Sequence, residues 1–196
     1  MALPVVVMIS RQELCFDFDA PVERRGTGSL KWDRYKGRDV IPLWVADMDF
    51  KAPPAVIEAL KERVDHGVFG YTLPPGELVN VIVEMLEREH AWKADPQWLV
   101  WLPGLVTGIN AACRSVGAPG DAVMTTTPVY PPFLGAPALS GRTLIAVPHR
   151  DDGARYVFDF EGMEQAESGG TRLFLLCNPQ NPTGRVFTRE ELMRLA

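Results

Sequence analysis

From Trp98 to the end of the chain, short apolar runs alternate with segments whose apolar residues recur at helical spacing. The runs have the length of buried strands, and the segments between them have the period of amphipathic helices. This alternation predicts an α/β fold in which helices cover a mostly parallel sheet. Strands are predicted over 98–101, 122–125, 144–147 and 172–177, and helices over 105–116, 130–139, 160–167 and from a capping box at Thr188 and Glu191.

The first part of the chain shows a different pattern. Residues 1–45 contain several glycines and no persistent period, which predicts an irregular arm that ends in a short strand over 41–45. Pro53-Pro54 then suits the start of a helix, and Gly67 suits its C-terminal cap. A second amphipathic helix is predicted over 76–90, with its charged residues on the solvated face.

Composition limits the class of protein. The chain has 196 residues, of which 46% are apolar, and this is enough for one sizeable core. A net charge of −5 with dispersed basic residues argues against nucleic acid and against an anionic membrane surface as partners. The apolar start, Met1 to Ile9, lacks the marks of a signal peptide and is too short to span a bilayer. Three sparse cysteines without a C-x-x-C pair are typical of reduced thiols in a cytoplasmic protein.

Two turns that follow predicted strands are candidate ligand contacts. Gly104 precedes a helix whose first N–H groups and positive dipole end can bind a phosphate, although an ordinary Gly-Pro turn is the alternative. Tyr130 lies among prolines, so its ring can be held for stacking on an aromatic ligand; a core tyrosine is the alternative. Both turns are predicted at the carboxyl ends of parallel strands, where ligands bind in open α/β sheets.

The eight residues from Cys177 to Gly184, Cys-Asn-Pro-Gln-Asn-Pro-Thr-Gly, give the most specific signal. Two prolines fix φ and remove backbone donors, which predicts a rigid loop after a buried strand. The loop can hold the Asn181 side chain beside a ligand as a hydrogen-bond donor, or Asn181 can serve only the backbone in an Asx-turn. The order of this loop and the two turns favours one shared ligand site.

Other polar groups show no metal-ligand spacing. The three histidines, His66, His90 and His149, are scattered along the chain. Asp47 and Asp49 occupy alternate positions, and in a strand such positions face opposite ways. We therefore predict no metal site.

The motifs resemble those of the MalY/PatB group of pyridoxal phosphate-dependent C–S lyases, a branch of the class I/II aminotransferases. The resemblance extends from about Phe16 to Ala196. The Asp-Met-Asp-Phe and Gly-Val-Phe-Gly-Tyr stretches favour this branch over ordinary aminotransferases. The resemblance rests on five segments, which are Trp44–Phe50, His66–Tyr71, Pro103–Val106, Pro128–Phe133 and Cys177–Phe187.

The resemblance implies a fold-type I pyridoxal phosphate-dependent enzyme, a cytoplasmic homodimer of which this chain is expected to be the N-terminal portion. Residues 1–45 would form the N-terminal arm and part of the small domain. Residues 46–196 would form the N-terminal portion of the cofactor-binding large domain, an incomplete three-layer α/β/α unit.

The resemblance also implies roles for particular residues. It assigns the cofactor phosphate to Gly104 and the amides of Leu105 and Val106, the pyridine ring to Tyr130, its phenolic oxygen to Asn181, the phosphate of a second subunit to Tyr71, and the substrate pocket to Ala46 and Asp47.

The implied reaction is β-elimination from a small sulfur amino acid such as cystathionine, giving pyruvate, ammonia and a thiol. Transamination is the alternative within enzymes, and a non-catalytic remnant that binds a protein partner is the alternative of another class. The family's Schiff-base lysine is expected beyond residue 196, so no catalytic residue is assigned and the isolated chain is predicted to be inactive. All five lysines precede the predicted phosphate turn, and they are Lys31, Lys36, Lys51, Lys61 and Lys93.

Overall fold

The computed structural model describes residues 16–167 and 169–196. The chain divides into two compact units, Met1–Pro75 and Gly76–Ala196. The apolar start, Met1 to Ile9, and Cys15 lie outside the described residues, and the domain boundary expected at residue 45 stays a prediction. No described helix is both long and apolar enough to cross a membrane. Within the same ranges, no group of three or more His, Cys, Asp or Glu side chains is arranged to hold a metal ion.

The first unit contains two helices, α1 (Leu30–Asp33) and α2 (Pro54–His66). Helix α2 begins at a proline and ends at Gly67, whose φ of 74° is the left-handed conformation of a C-terminal cap, as predicted. The strand predicted over 41–45 is wrong. That segment has no hydrogen-bonded neighbour among the described residues, and an extended segment becomes a strand only by pairing.

The second unit is an α/β sandwich. Its three main strands are parallel, as the alternating pattern predicted, and they lie in the order β2-β1-β5. In chain order its elements are α3 (Gly76–His90), α4 (Leu105–Ser115), β1 (Ala122–Thr127), α5 (Pro132–Leu139), β2 (Thr143–Pro148), β3 (Arg150–Asp151), β4 (Tyr156–Val157), α6 (Phe160–Ala166), β5 (Thr171–Leu175) and α7 (Arg189–Leu195).

Two short features of the second unit differ from the sequence prediction. The strand predicted over 98–101 is wrong. Trp98 belongs to a single 3-10 turn, Pro96–Trp98, and Leu99 is extended but pairs with no strand in the described part of the chain. The antiparallel pair β3–β4 was not predicted, because strands of two residues are too short to show an alternating pattern. Its turn begins with Asp152, whose Oδ1 accepts hydrogen bonds from two backbone N–H groups at 2.9 and 2.8 Å.

Both faces of the sheet are covered, since successive side chains of β1 point to opposite sides. Val123 packs on one side with residues of α4 and α5, while Met124 packs on the other with residues of α6 and α7. This gives the three-layer α/β/α arrangement expected from the sequence. The first cluster consists of Cys113, Val123, Ala136 and Leu175, and the second of Met124, Val147, Phe158, Met163 and Phe187.

Helix α4 runs antiparallel to the strands, as the hydrogen bonds of Arg142 indicate. This arginine lies directly before β2, at the amino edge of the sheet, and its Nε donates to the carbonyls of Cys113 and Val116 at 3.1 Å. The carboxyl end of α4 is therefore held at the amino ends of the strands. A helix of 11 residues spans about 16 Å, close to the length of the strands it covers, so its first turn lies near their carboxyl ends.

Candidate functional site

The first turn of α4 is an open anion-binding end. The helix follows Gly104 without a side-chain cap, and its first backbone bond runs from the Gly108 N–H to the Gly104 carbonyl at 3.3 Å. Leu105 and Val106 are both exposed. The free N–H groups of such a turn, together with the helix dipole, favour a phosphate. A Cβ at position 104 would meet no protein atom within 4 Å, so the approach to the turn is open.

Tyr130 extends from the loop that follows β1. Its neighbour Val129 is buried, whereas Tyr130 is 42% exposed. The Tyr130 carbonyl accepts from the N–H of Phe133 at 3.0 Å, and Phe133 packs against the core. The loop therefore anchors itself by its backbone and by neighbouring side chains. Because Tyr130 is partly exposed, part of its side chain can contact a flat ligand.

Asn181 lies in the loop that follows β5. Its backbone N–H donates to the sulfur of Cys177 at 3.4 Å, and its exposed side chain makes no hydrogen bond within the described chain. The side chain of the nearby Asn178, in contrast, stabilises the loop, since its Oδ1 accepts a hydrogen bond from the N–H of Phe187 at 3.3 Å. This arrangement favours a ligand contact for Asn181 over an Asx-turn.

These contacts converge at the carboxyl edge of the sheet. Thr125 of β1 pairs with Leu175 of β5, so the loops that carry Tyr130 and Asn181 leave adjacent strands at the same edge. The turn at Gly104 reaches this edge by another route than predicted. Among the described residues no strand precedes it, and the orientation of α4 brings it there.

Sequence reasoning missed a link between the two loops. The side chain of Gln180 is buried, and its Nε2 donates to the carbonyl of Pro128. Gln180 occupies the variable position between the two Asn-Pro pairs, so the motif itself gave no reason to select it.

The residues predicted for a substrate pocket lie in the first unit. Ala46 and Asp47 line an apolar cavity of about 660 Å³ together with three aromatic rings, those of Phe16, Phe18 and Phe50. The rings of Phe18 and Phe50 meet edge to face, with centroids 5.3 Å apart. The cavity can take an apolar side chain, and its lining includes two charged residues, Asp47 and Lys51.

Asp47 and Asp49 do not face opposite ways, because no strand forms around them. Both carboxylates meet the Arg24 guanidinium, each with an oxygen 2.8 Å from one of its nitrogens. The ammonium of Lys31 lies 2.8 Å from Asp49 and donates to the Asp47 carbonyl at 2.8 Å. Hydrogen bonds from Lys31 and from the indole of Trp32 hold the pKa of Asp49 below its usual range. The expectation that the side chains of Asp47 and Asp49 face opposite ways is therefore wrong.

Tyr71 lies in the loop that follows α2 and is fully exposed. Among the described residues, its side chain makes no hydrogen bond and no aromatic contact. This exposure leaves its predicted role at a second subunit open to test.

The second unit contains one lysine. Lys93 is exposed, lies 3.4 Å from the carboxylate of Glu87 and precedes Gly104 in the chain. The predicted contacts at the sheet edge, Gly104 to Val106, Tyr130 and Asn181, thus include no amine that could form a covalent bond with a ligand.

The fold and these contacts define an α/β protein whose sheet edge suits a phosphorylated aromatic ligand. The chain belongs to the aminotransferase class I and II family, whose model matches residues 38–196. It is 42% identical over 184 residues to the cystathionine β-lyase PatB of Bacillus subtilis, covering 91% of this chain and 48% of that protein. It is 33% identical over 187 residues to the protein MalY of Escherichia coli, covering 92% and 48%. The predicted resemblance to this branch is confirmed.

Solved structures agree with the family. Cystalysin from Treponema denticola, which contains pyridoxal 5′-phosphate, matches with a TM-score of 0.83 and 35% identity, covering 92% of this chain and 48% of that one. The pyridoxal phosphate-bound C–S lyase of Staphylococcus hominis matches with a TM-score of 0.82 and 30% identity, covering 92% and 47%. The chain spans about half the length of the relatives it matches.

Proposed function

We propose that this chain supplies the phosphate and ring contacts of a pyridoxal phosphate-dependent C–S β-lyase. The observation that carries the proposal is the meeting of an uncapped helix start, an exposed tyrosine and a free asparagine amide at one edge of the sheet. These three groups match the three parts of the cofactor: an anion, an aromatic ring and a ring oxygen. When bound, the cofactor supplies an electron sink for the α-carbon of an amino acid.

Each group has a distinct part in holding the cofactor. The N–H groups of Leu105 and Val106 donate to the phosphate, where the helix dipole adds to the attraction. Tyr130 stacks on the ring and fixes its plane. Asn181 donates from its side-chain amide to the phenolic oxygen, which keeps electron density on that oxygen and orients the ring within its plane. Proton removal from the substrate needs an amine base, and the family's lysine has no match among these residues.

The proposal extends to substrate and assembly. Ala46 and Asp47 would contact a small sulfur amino acid such as cystathionine, the substrate named for several relatives. Arg24 would hold the Asp47 loop in place by its ion pair with the Asp47 carboxylate, and Lys31 by its hydrogen bond to the Asp47 carbonyl. Tyr71 would reach the cofactor phosphate of a second subunit in a homodimer. A cytoplasmic location fits the sparse cysteines, of which Cys113 and Cys177 are free thiols.

A single assay tests the reaction. Protein purified from its native source, supplied with pyridoxal phosphate and cystathionine, is expected to release pyruvate and a thiol in equal amounts. The 196-residue chain alone is expected to give no turnover, because it lacks the base. Product that appears only when an α-keto acid is added would instead show transamination, the activity named for an aspartate/prephenate aminotransferase that is 33% identical over 162 residues. Turnover by the 196-residue chain would contradict the proposal.

A further inference from the structure

Gln180 is an unusual residue to find in the core. Its side chain is 1% exposed, although glutamine is mostly found at protein surfaces. Its Nε2 donates to the carbonyl of Pro128, a residue 52 positions earlier in the chain. The bond is therefore a tertiary contact between two loops and adds nothing to the local structure of either one.

The backbone of Gln180 is fixed independently of this bond. Its N–H donates to the Arg185 carbonyl at 2.7 Å, and its own carbonyl accepts from the N–H of Gly184 at 2.7 Å. Arg185 is held in turn by Glu191, with an N–O distance of 2.6 Å. The side chain of Gln180 thus extends from a rigid base, so its amide has a defined position relative to the body of the unit.

The bond holds the opposite loop at Pro128, between the backbone bond that the Thr127 carbonyl accepts from His149 and the buried side chain of Val129. Pro128 has no N–H, so its carbonyl is the one backbone group there that can be held. Tyr130 lies two residues further on, and Asn181 directly follows Gln180. The bond from the Gln180 amide thus joins the two loops close to both the tyrosine and the asparagine.

We propose that Gln180 is a positioning residue that sets the spacing of Tyr130 and Asn181 around the cofactor ring; this inference rests on the proposed function. A flat, rigid ligand must meet both side chains at once, since one contacts its face and the other its oxygen. Small errors in the spacing then weaken one of the two contacts. Gln180 touches neither ligand nor substrate and acts through its two neighbours.

The test uses the 196-residue chain and pyridoxamine 5′-phosphate. This probe keeps the phosphate, the ring and the phenolic oxygen but has no aldehyde to react with the five lysines. Gln180→Met keeps the length of the side chain and removes the donor. Its dissociation constant, measured by titration calorimetry, is expected to rise about fivefold, as for the loss of one neutral hydrogen bond. The matched control is Gln165→Met, at an exposed glutamine of α6 that bonds only Glu161, and it should leave the constant unchanged.

Two further variants separate positioning from general stability. Gln180→His restores a ring N–H donor of similar reach and is expected to bring the affinity back to within twofold. In a Tyr130→Ala background, the effect of Gln180→Met should shrink below twofold, since a residue that acts through Tyr130 loses its effect with it. A merely structural residue would give the same factor in both backgrounds, and that result would overturn the inference.

The remaining outcomes are also decisive. Equal affinity of the unsubstituted chain and a folded Gln180→Met variant, as judged by circular dichroism, would refute the positioning role and leave the proposed function intact. Failure of the unsubstituted chain to bind the probe would overturn both. If Gln180→Met does not fold, Gln180→Asn replaces it, because its amide is one methylene too short to reach Pro128 and the same fivefold loss is expected.

Discussion

At the scale of single residues, His149 is a buried titratable side chain that is not among the predicted site residues. It lies directly after β2, and both ring nitrogens are buried without a hydrogen-bond partner among the described residues. The ring is enclosed by aromatic side chains, with centroids 5.6 Å from those of Phe158 and Phe187 and 6.4 Å from that of Tyr156. Burial lowers the pKa of His149 below its usual value.

This environment predicts a loss of stability in mild acid. Because the pKa of His149 is lowered in the folded state, the unfolded chain takes up the proton first as the pH falls. Its contribution to the free energy of unfolding is complete above about pH 6.5 and declines below it, with a slope of up to about 1.4 kcal/mol per pH unit. Urea unfolding at pH 7.5 and pH 5.5 measures this. His149→Phe should remove the difference, whereas His90→Gln, at an exposed histidine, should retain it.

At the scale of elements, the orientation of α4 depends on Arg142. Besides the two bonds from its Nε, the guanidinium donates to the Gly117 carbonyl at 3.2 Å. One side chain thus satisfies several carbonyls that the end of a helix leaves without partners. The same side chain links α4 to the start of β2, so this contact also helps to position the candidate phosphate-binding turn at the other end of the helix.

Replacing Arg142 by methionine should lower the free energy of unfolding by about 2 kcal/mol, since bonds from a charged donor are lost and carbonyls are left unsatisfied. Urea unfolding at neutral pH checks this value. Arg189→Met, at the exposed start of α7, removes the same charge without such bonds and should change stability by less than about 0.5 kcal/mol. An equal effect of the two substitutions would mean that Arg142 does not hold the helix.

Elements could be predicted from the sequence where the local pattern and the tertiary partner agree. The strands β1, β2 and β5 and the helices around them show this agreement. The segments 41–45 and 98–101 have strand-like composition but pair with no other strand in the described ranges. A local sequence pattern does not show whether a partner strand is present.

The candidate site shows the same limit. Tyr130 and Asn181 carry local signals, prolines and a specific motif, so they could be selected from the sequence. The bond from Gln180 to Pro128 joins positions 52 residues apart and ends on a carbonyl, so no residue type marks it. The shared contact of Asp47 and Asp49 with Arg24 was missed because a strand was assumed where the chain is irregular.

At the scale of the whole molecule, the sheet of the second unit has two edges. The described part of the chain provides no second neighbour for β2 or β5. Unpaired edges favour association with other chains. Ala146 of β2 is exposed and lies beside such an edge.

The 196-residue chain should therefore aggregate more slowly with Ala146→Lys, since a charge on an edge strand opposes pairing with another chain. Light scattering at 37 °C measures the rate, and a severalfold decrease is expected. Ala154→Lys adds the same charge in the exposed turn between β3 and β4 and should have little effect. If both variants slow aggregation equally, net charge rather than the strand edge is responsible.

The strand order also has a consequence for how the unit assembles during synthesis. The central strand β1 leaves the ribosome first; its partner β2 is complete at residue 148 and its partner β5 at residue 175. At 5–20 residues per second, about one to five seconds separate the two pairings. During that interval a growing chain carries a two-stranded ribbon with one side of β1 open, and the loop that bears Asn181 does not yet exist. The proposed cofactor contacts are thus completed late, after β1 and β2 have already paired at the centre of the sheet.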